Sequence, residues 1–450
     1  MIDILPRWFH IRTIVMLGCL ERLFRSGLRP YPSNLTWVIP AEGDVTGLCA
    51  TVQGRLLPQD PMDGSEHASL TGRRAMIRRL AVLTAFAIAP MVPSLAIAMD
   101  AYIPILVPIT GFIALEGTAQ RNGAIQALEN APDGVNVTYE VSDTSTSPEV
   151  AVTALHRALE RGKPVAAAAS IFGTQMLAMA PIAKRAGVPL ITVSGTAKLT
   201  ELGNPYIFRF FPGDAVVKVA HARYAIEVLG AKRPALLYQT TSYGQSGRTE
   251  LARILKEHGA PLVFEEALAP SVKDMLPALT KLRAAKPDVI LLHLHSGPTA
   301  LAIRQAREAG IDLPVVAGSA MHQPSTAKLL KPAQLKGVCS ESASSPVSES
   351  SPKLVAFTKE FRARFHTEPD AFALAQHDGI NMVLAALKDG AKTAEDVRGW
   401  LASHVFEGLA MTYKSDGKGN MAHDALIVCY DGASLVPAVA KRFHNVDGVL

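Results

Sequence analysis

A chain of 450 residues, 48% hydrophobic and 19% charged, has enough apolar mass for two or three folded domains. Its formal net charge of +5 is uneven: residues 1–98 carry ten Arg and no Lys against seven Asp and Glu, which leaves the rest near neutral, with no basic face for nucleic acid. The four cysteines (Cys19, Cys49, Cys339 and Cys429) have no C-x-x-C spacing, so neither a zinc site nor a dense disulfide framework is indicated.

Residues 1–75 lack sustained periodicity and read as an upstream extension, either disordered or preceding the true start codon. Residues 76–98 then have the order of a signal peptide. Arg78 and Arg79 precede the apolar run Leu80 to Ala89, Pro90 and Pro93 break it, and Ala96-Ile-Ala98 supplies a small-x-small cleavage pattern. The mature chain is expected to begin at Met99 and to be periplasmic.

From there strands and helices alternate. Ile103 to Pro108 reads as a strand, Ile109 to Gly117 as a loop containing Phe112 and Glu116, and Thr118 to Asn130 as a helix. Val135 to Val141 is a second strand and Glu149 to Arg161 an amphipathic helix. The clearest unit follows. Val165 to Ser170 is a buried strand, Gln175 to Ala186 a helix stopped by Gly187, and Leu190 to Val193 a strand ending in Ser194-Gly195-Thr196. Both strands of this βαβ unit end in small and hydroxyl residues, where open parallel sheets bind ligands. Further alternation runs to Ala317, with strands at Pro234 to Tyr238, Leu262 to Glu266, Val289 to His295 and Val315 to Ala317, which means parallel sheets. Gly337 to Ser342 is another strand. Three helices and a group of short strands, ending with Ala425 to Tyr430, complete the chain.

Enzyme signatures are missing: there is no G-x-S-x-G, P-loop, H-E-x-x-H or strand-following G-x-G-x-x-G. His293 and His295 share one side of their strand, but no third ligand at metal spacing accompanies them. Cys339 and Cys429 fall on strands near expected crossings between lobes, where a disulfide and two buried thiols are both open readings.

Gly173-Thr174, Ala180-Pro181, Ala186-Gly-Val-Pro-Leu190 and Ile191-Thr-Val-Ser-Gly-Thr196 resemble the periplasmic binding proteins of the leucine/isoleucine/valine type. The resemblance extends over residues 101–440. It implies an α/β fold of two Rossmann-like lobes, each a helix-flanked parallel sheet, joined by a three-segment hinge. Residues 99–214 plus 343–421 would form the first lobe, and 215–342 plus 422–450 the second. The implied function is capture of a small carboxylate-bearing solute, such as a branched-chain amino acid, between the lobes, and delivery to an inner-membrane ABC permease. The protein is then a monomer with no cofactor, no metal and no catalytic residue. The alternatives are a ligand sensor of the same fold, a binder of aromatic or organic acids or amides, and, remotely, a secreted α/β enzyme.

Carried over by position, the resemblance assigns the ligand carboxylate to Gly173, Thr174, Ser194, Gly195 and Thr196, and the cleft aromatics to Tyr243 and His295. His377-Asp378-Gly379 matches a packing element, and Asp416-Gly-Lys-Gly-Asn420 a late hairpin turn. One position departs. The acid that would meet a ligand ammonium is replaced by Ser319 or a neutral neighbour, which leaves Glu116 as the nearest substitute, with Phe112 beside it.

Overall fold

Short, continuously apolar runs become strands buried on both faces. The computed structural model describes residues 99–450, so the expected extension and signal peptide lie outside the described residues. Sixteen strands occur there in chain order: β1 (Met99–Tyr102), β2 (Ile105–Val107), β3 (Val135–Thr138), β4 (Val141–Asp143), β5 (Ala167–Ala169), β6 (Leu190–Thr192), β7 (Ile207–Arg209), β8 (Pro234–Gln239), β9 (Phe264–Leu268), β10 (Val289–His293), β11 (Val315–Ala317), β12 (Val338–Ser342), β13 (Phe406–Glu407), β14 (Thr412–Tyr413), β15 (Ala425–Cys429) and β16 (Ala438–Phe443). The helices are α1 (Ala114–Glu129), α2 (Pro148–Arg161), α3 (Gly173–Ala186), α4 (Asp214–Arg223), α5 (Ser242–Glu257), α6 (Leu276–Ala284), α7 (Ser296–Glu308), α8 (Pro352–Phe365), α9 (Ala371–Lys388) and α10 (Ala394–Ser403), besides shorter turns.

The first sheet has the order β4-β2-β5-β6-β7 and is parallel throughout. The second has the order β9-β8-β10-β11-β12-β15-β16, with its first five strands parallel and the last two antiparallel. Counted within its own lobe, each parallel set follows the doubly wound order 2-1-3-4-5, and ligands bind where that order reverses. The reversal lies between β2 and β5 in one lobe and between β8 and β10 in the other. The chain passes between the sheets three times: after β7, after β12 and before β15.

Local rules account for most boundaries. Ser147 caps α2 by accepting from Val150 N, with Pro148 at the first helical position. Gly187 ends α3 at φ 67°, as its position in the sequence indicates. Helices α1 and α9 cross so closely that a Cβ on Gly123 would lie 1.9 Å from the Ala373 carbonyl oxygen.

Two sequence expectations need correction. Helix α1 starts at Ala114 rather than Thr118. Gly117 reads as a loop residue in the sequence, yet a Cβ there would strike the Pro108 carbonyl oxygen at 1.8 Å. The glycine lets the first helical turn pack on its own incoming strand, so Glu116 belongs to a helix and not to a loop. The terminal strand β16 was missed because it alternates exposed and half-buried residues, with Lys441 and Arg442 on an edge. Between Cys339 and Cys429, which face each other in the β12–β15 register, the disulfide forms. No helix among the described residues is long and apolar enough to cross a membrane.

Candidate functional site

The strand ends at both order reversals deliver side chains to one small enclosed cavity between the lobes. From the first lobe come Glu116, Ile171, Val193 and Gly195; Phe372 arrives from α9 and Phe211 from the first crossing. From the second lobe come Tyr243, His295, Ser319 and Ala320. Five of the ten residues singled out in the sequence therefore line it: Glu116, Gly195, Tyr243, His295 and Ser319.

Glu116 is 2% exposed. Its Oε1 accepts from the backbone N–H of Ser296 at 2.9 Å and from the Ser296 hydroxyl at 2.7 Å. Ser296 opens α7 in the opposite lobe, so this carboxylate sits at the N-terminus of a helix other than its own, where a negative charge is favoured. Its Oε2 has no partner among the described residues. Burial raises its pKa above the ordinary carboxylate range, the Ser296 bonds oppose that rise, and the nearby Asp370 adds to it.

An aromatic wall adjoins this acid. The His295 ring stacks on Tyr243 with centroids 5.0 Å apart, and it meets the Phe172 edge at 6.0 Å and Phe112 at 5.7 Å. Phe112 is 37% exposed and marks the outer rim. Burial pushes His295 down to about 3, so the ring is neutral and extends the apolar surface. His293 is not paired with it for metal binding: its Nε2 lies 2.9 Å from the Tyr243 carbonyl oxygen. Among the described residues no group of three or more His, Cys, Asp or Glu is placed to hold a metal ion.

The Ser194-Gly195-Thr196 loop is fixed from behind. Arg209, 1% exposed, donates from Nη1 to the carbonyls of Ser194 (3.3 Å), Gly195 (3.2 Å) and Thr196 (2.7 Å). With the carbonyls turned toward the guanidinium, the Gly195 and Thr196 N–H groups find no acceptor among the described residues. The Ser194 and Thr196 hydroxyl oxygens are buried and equally without partners there. These are donors suited to an anion. Gly173 packs against Thr196, whose Oγ1 would be 1.9 Å from a Cβ at Gly173. Thr174 instead reaches across the cleft, where its hydroxyl donates to Ser242 Oγ at 3.2 Å.

Sequence reasoning missed two acids below the cavity. Glu341 is fully buried; it pairs with Lys218 and His221 and accepts from the N–H and hydroxyl of Ser319 at 3.2 and 3.0 Å. It thus stands behind the neutral Ser319 position, one strand further along the sheet, and is saturated by its own partners. Asp214 opens α4 directly after the first crossing; it lies 4.0 Å from Lys218 Nζ and 3.9 Å from His293 Nε2. Burial pushes it up to about 7 against the pull of Lys218. Its place in Pro212-Gly-Asp214 was a legible helix-start signal. Asp378 is structural, accepting from Ala410 N and the Tyr413 hydroxyl, and Asp416 closes its turn through Lys418 N and Asn420 N.

Comparison with known proteins agrees with this architecture. Residues 101–433 match the family model described as periplasmic binding protein. An amino acid binding protein of Pseudomonas aeruginosa is 28% identical over 337 residues, covering 72% of this chain and 87% of that protein. Among solved structures, the branched-chain amino acid transporter substrate binding protein LivJ from Streptococcus pneumoniae, in complex with isoleucine, matches with a TM-score of 0.69 at 25% identity, over 76% of this chain and 99% of its own. A solute binding protein of an ABC transporter from Rhodopseudomonas palustris BisB5, in complex with 3,4-dihydroxybenzoic acid, shares the fold with a TM-score of 0.71 at 21% identity, over 77% and 98%. Two doubly wound lobes closing on one cavity, and a family match that spans nearly all the described residues, give one conclusion: the chain belongs to the periplasmic binding protein family.

Proposed function

We propose that the protein captures a small α-amino acid with an apolar side chain in the periplasm and passes it to an inner-membrane ABC permease. The observation that carries this reading is Glu116 Oε2, a buried carboxylate oxygen without a partner among the described residues, in a cavity whose first-lobe wall also holds Gly195. A zwitterion answers both ends. Its ammonium meets Glu116, and its carboxylate takes the N–H groups of Gly195 and Thr196 with the Thr196 hydroxyl. Its side chain lies against Ile171, Val193, Phe211 and Phe372. The relatives that bind amino acids support this assignment. Binding and release by hinge motion is the activity this reading assigns.

A second reading has its own observation. The wall of His295, Tyr243, Phe172 and Phe112 suits an aromatic acid, for which Glu116 would have no task. Calorimetry with isoleucine and with 3,4-dihydroxybenzoate separates the two. The amino-acid reading expects isoleucine to bind and Glu116→Gln to weaken it ~10- to 100-fold, the loss of a charged hydrogen bond worth about 1.5–3 kcal/mol. Tight dihydroxybenzoate binding, unchanged by Glu116→Gln, with no isoleucine binding, would replace it.

A further inference from the structure

Four buried side chains stand in series across the closed interface between the lobes. Glu116 Oε1 in the first lobe lies 2.7 Å from Ser296 Oγ in the second, and Ser296 Oγ lies 2.9 Å from one end of the Gln323 amide. The other end of that amide lies 2.5 Å from Oδ2 of Asp370, back in the first lobe. Exposure is 2% at Glu116, 1% at Ser296, 0% at Gln323 and 4% at Asp370, so all four are shielded from bulk solvent.

Each of the three contacts needs one hydrogen. Ser296 has one hydroxyl hydrogen, and a carboxamide presents hydrogens at one end only. Two of the contacts are therefore provided for, and the third hydrogen has to be on a carboxyl group. A half-turn of the Gln323 amide exchanges its oxygen and nitrogen without moving any other atom, so the series has two possible polarities. The backbone N–H of Ser296 already donates to Glu116 Oε1, which favours keeping that oxygen an acceptor. In the consistent polarity Ser296 donates twice to an ionised Glu116, the Gln323 –NH2 donates to Ser296 Oγ, and the Gln323 carbonyl accepts from a protonated Asp370. The second oxygen of Asp370 remains free to cap α9 through Ala373 N at 2.8 Å.

We infer that Asp370 is a positioning residue for solute capture: the complete series closes with one proton on Asp370, and so leaves Glu116 ionised toward the cavity. The proton count stands on the geometry of the series alone, while its consequence for capture rests on the proposed function. Burial pushes Asp370 up to about 6, against the bonds from the Ala373 and Phe372 N–H groups. The neighbouring titratable groups do not supply this proton. His322, which accepts from Ala371 N, and His295, 3.8 Å from Glu116, are both held down to about 3 by burial and are neutral. The Tyr243 hydroxyl is raised well above its ordinary value, and Lys218 and Glu341 are paired with each other. Asp214, at about 7, is the other acid in this range and needs a control. Because the closed form holds Asp370 above its ordinary 3.8, its contribution to closure is complete below about pH 4 and is lost as pH rises through about 6.

The test closes the lobes without solute. Thr174 and Ser242, whose hydroxyls meet across the cleft, are replaced as Thr174→Cys and Ser242→Cys and oxidised to a cross-link. That protein is titrated against the same protein carrying Asp370→Asn, whose amide can donate to Gln323 in place of the protonated acid. The difference cancels Asp214. The expected result is one additional proton released by the Asp370 protein between about pH 5 and 8. Identical titrations above pH 5 overturn the inference. Without the cross-link, isoleucine affinity gives a second readout. It should rise as pH falls from 7 to 5, by about tenfold over the two units and mostly below pH 6, and stay flat for Asp370→Asn; parallel pH profiles in the two proteins overturn the inference as well. A latch proton in the cross-linked chain together with no isoleucine binding at any pH would remove the proposed solute and keep the proton.

Discussion

Arg209 grips Gly195 by its backbone: the guanidinium Nη1 lies 3.2 Å from the Gly195 carbonyl oxygen, while the Asp214 N–H reaches that oxygen from the other side at 2.7 Å. The same guanidinium takes Asn420 Oδ1 with Nε at 3.0 Å and Nη2 at 2.5 Å, and Thr200 Oγ1 at 2.8 Å. One buried cation thus joins the Ser194-Gly195-Thr196 loop to a hairpin more than two hundred residues away. Burial lowers its pKa to about 10, which still leaves it charged at neutral pH.

Arg209→Lys keeps the charge and loses the planar fork that reaches three carbonyls and Asn420 at once. Stranding buried acceptors costs on the order of 1–3 kcal/mol each, so a marked fall in melting temperature is expected. Solute affinity should fall by about tenfold or more as the loop relaxes. Thermal melts and calorimetry on the same preparation check both. An unchanged affinity would mean that the loop holds its shape without Arg209.

The disulfide ties β12, which leads into the second crossing, to β15, which follows the third. It closes a segment of 90 residues, for which the chain-entropy model gives about 4–5 kcal/mol and measured disulfides typically give about 2–4 kcal/mol. Cys339→Ser with Cys429→Ser should lower the unfolding free energy by an amount in that range. Urea denaturation of oxidised, reduced and substituted protein measures it. The Tyr224 hydroxyl, 3.2 Å from Cys429 Sγ, should keep its place.

How much of this was legible in the sequence follows from the range of each interaction. The βαβ unit from Val165 to Thr196 was readable because its signals are local: an apolar run, a helix with a glycine stop, a second run. Tyr243, His295 and Ser319 were reached only through the family resemblance, which carries them over by position. Phe211 and Phe372 were not, since they meet with ring centroids 4.9 Å apart only after the chain has crossed between lobes and returned. Glu341 reads as an ordinary strand residue until Lys218, 123 residues earlier, is placed beside it. Glu116 was singled out, but its helix was started late because Gly117 carries the same letter whether it serves a loop or a close approach.

His322 supplies a prediction about acid. It packs between Phe211, stacked at 6.2 Å, and the Phe372 edge at 4.8 Å, and burial holds it down to about 3. A group with a depressed folded pKa adds stability that is complete above its unfolded value, near 6.5, and is lost as pH falls toward about 3. The loss approaches 1.4 kcal/mol per pH unit inside that window. His322→Gln retains an acceptor for Ala371 N and removes the titration. It should be the less stable protein at pH 7, where only the ring packing is lost, and should draw level with the wild type near pH 4. A stability difference independent of pH would show that His322 is not kept neutral.

The last prediction uses the space at Gly195. A Cβ there would lie 3.1 Å from Asp214 Oδ1 and 3.2 Å from the nearest Tyr243 ring carbon, tight contacts but with side chains that can give by a few tenths of an ångström. The backbone at Gly195 is outside the positive-φ region, so alanine adds no conformational strain. Gly195→Ala should therefore fold with stability close to the wild type while placing a methyl group in the cavity wall beside the two groups that would meet a solute. Overpacking of a filled site typically costs about 1–3 kcal/mol. In the solute-bound state that corresponds to a loss of about 5- to 150-fold in isoleucine affinity. The loss should shrink for alanine as the solute, because a shorter side chain leaves room for the solute to shift away from the added methyl. Calorimetry with both amino acids and a thermal melt without solute separate these effects. Equal losses for the two solutes would mean that the methyl acts on the carboxylate-binding N–H groups and not on the volume of the cavity. No loss for either would place the solute away from Gly195.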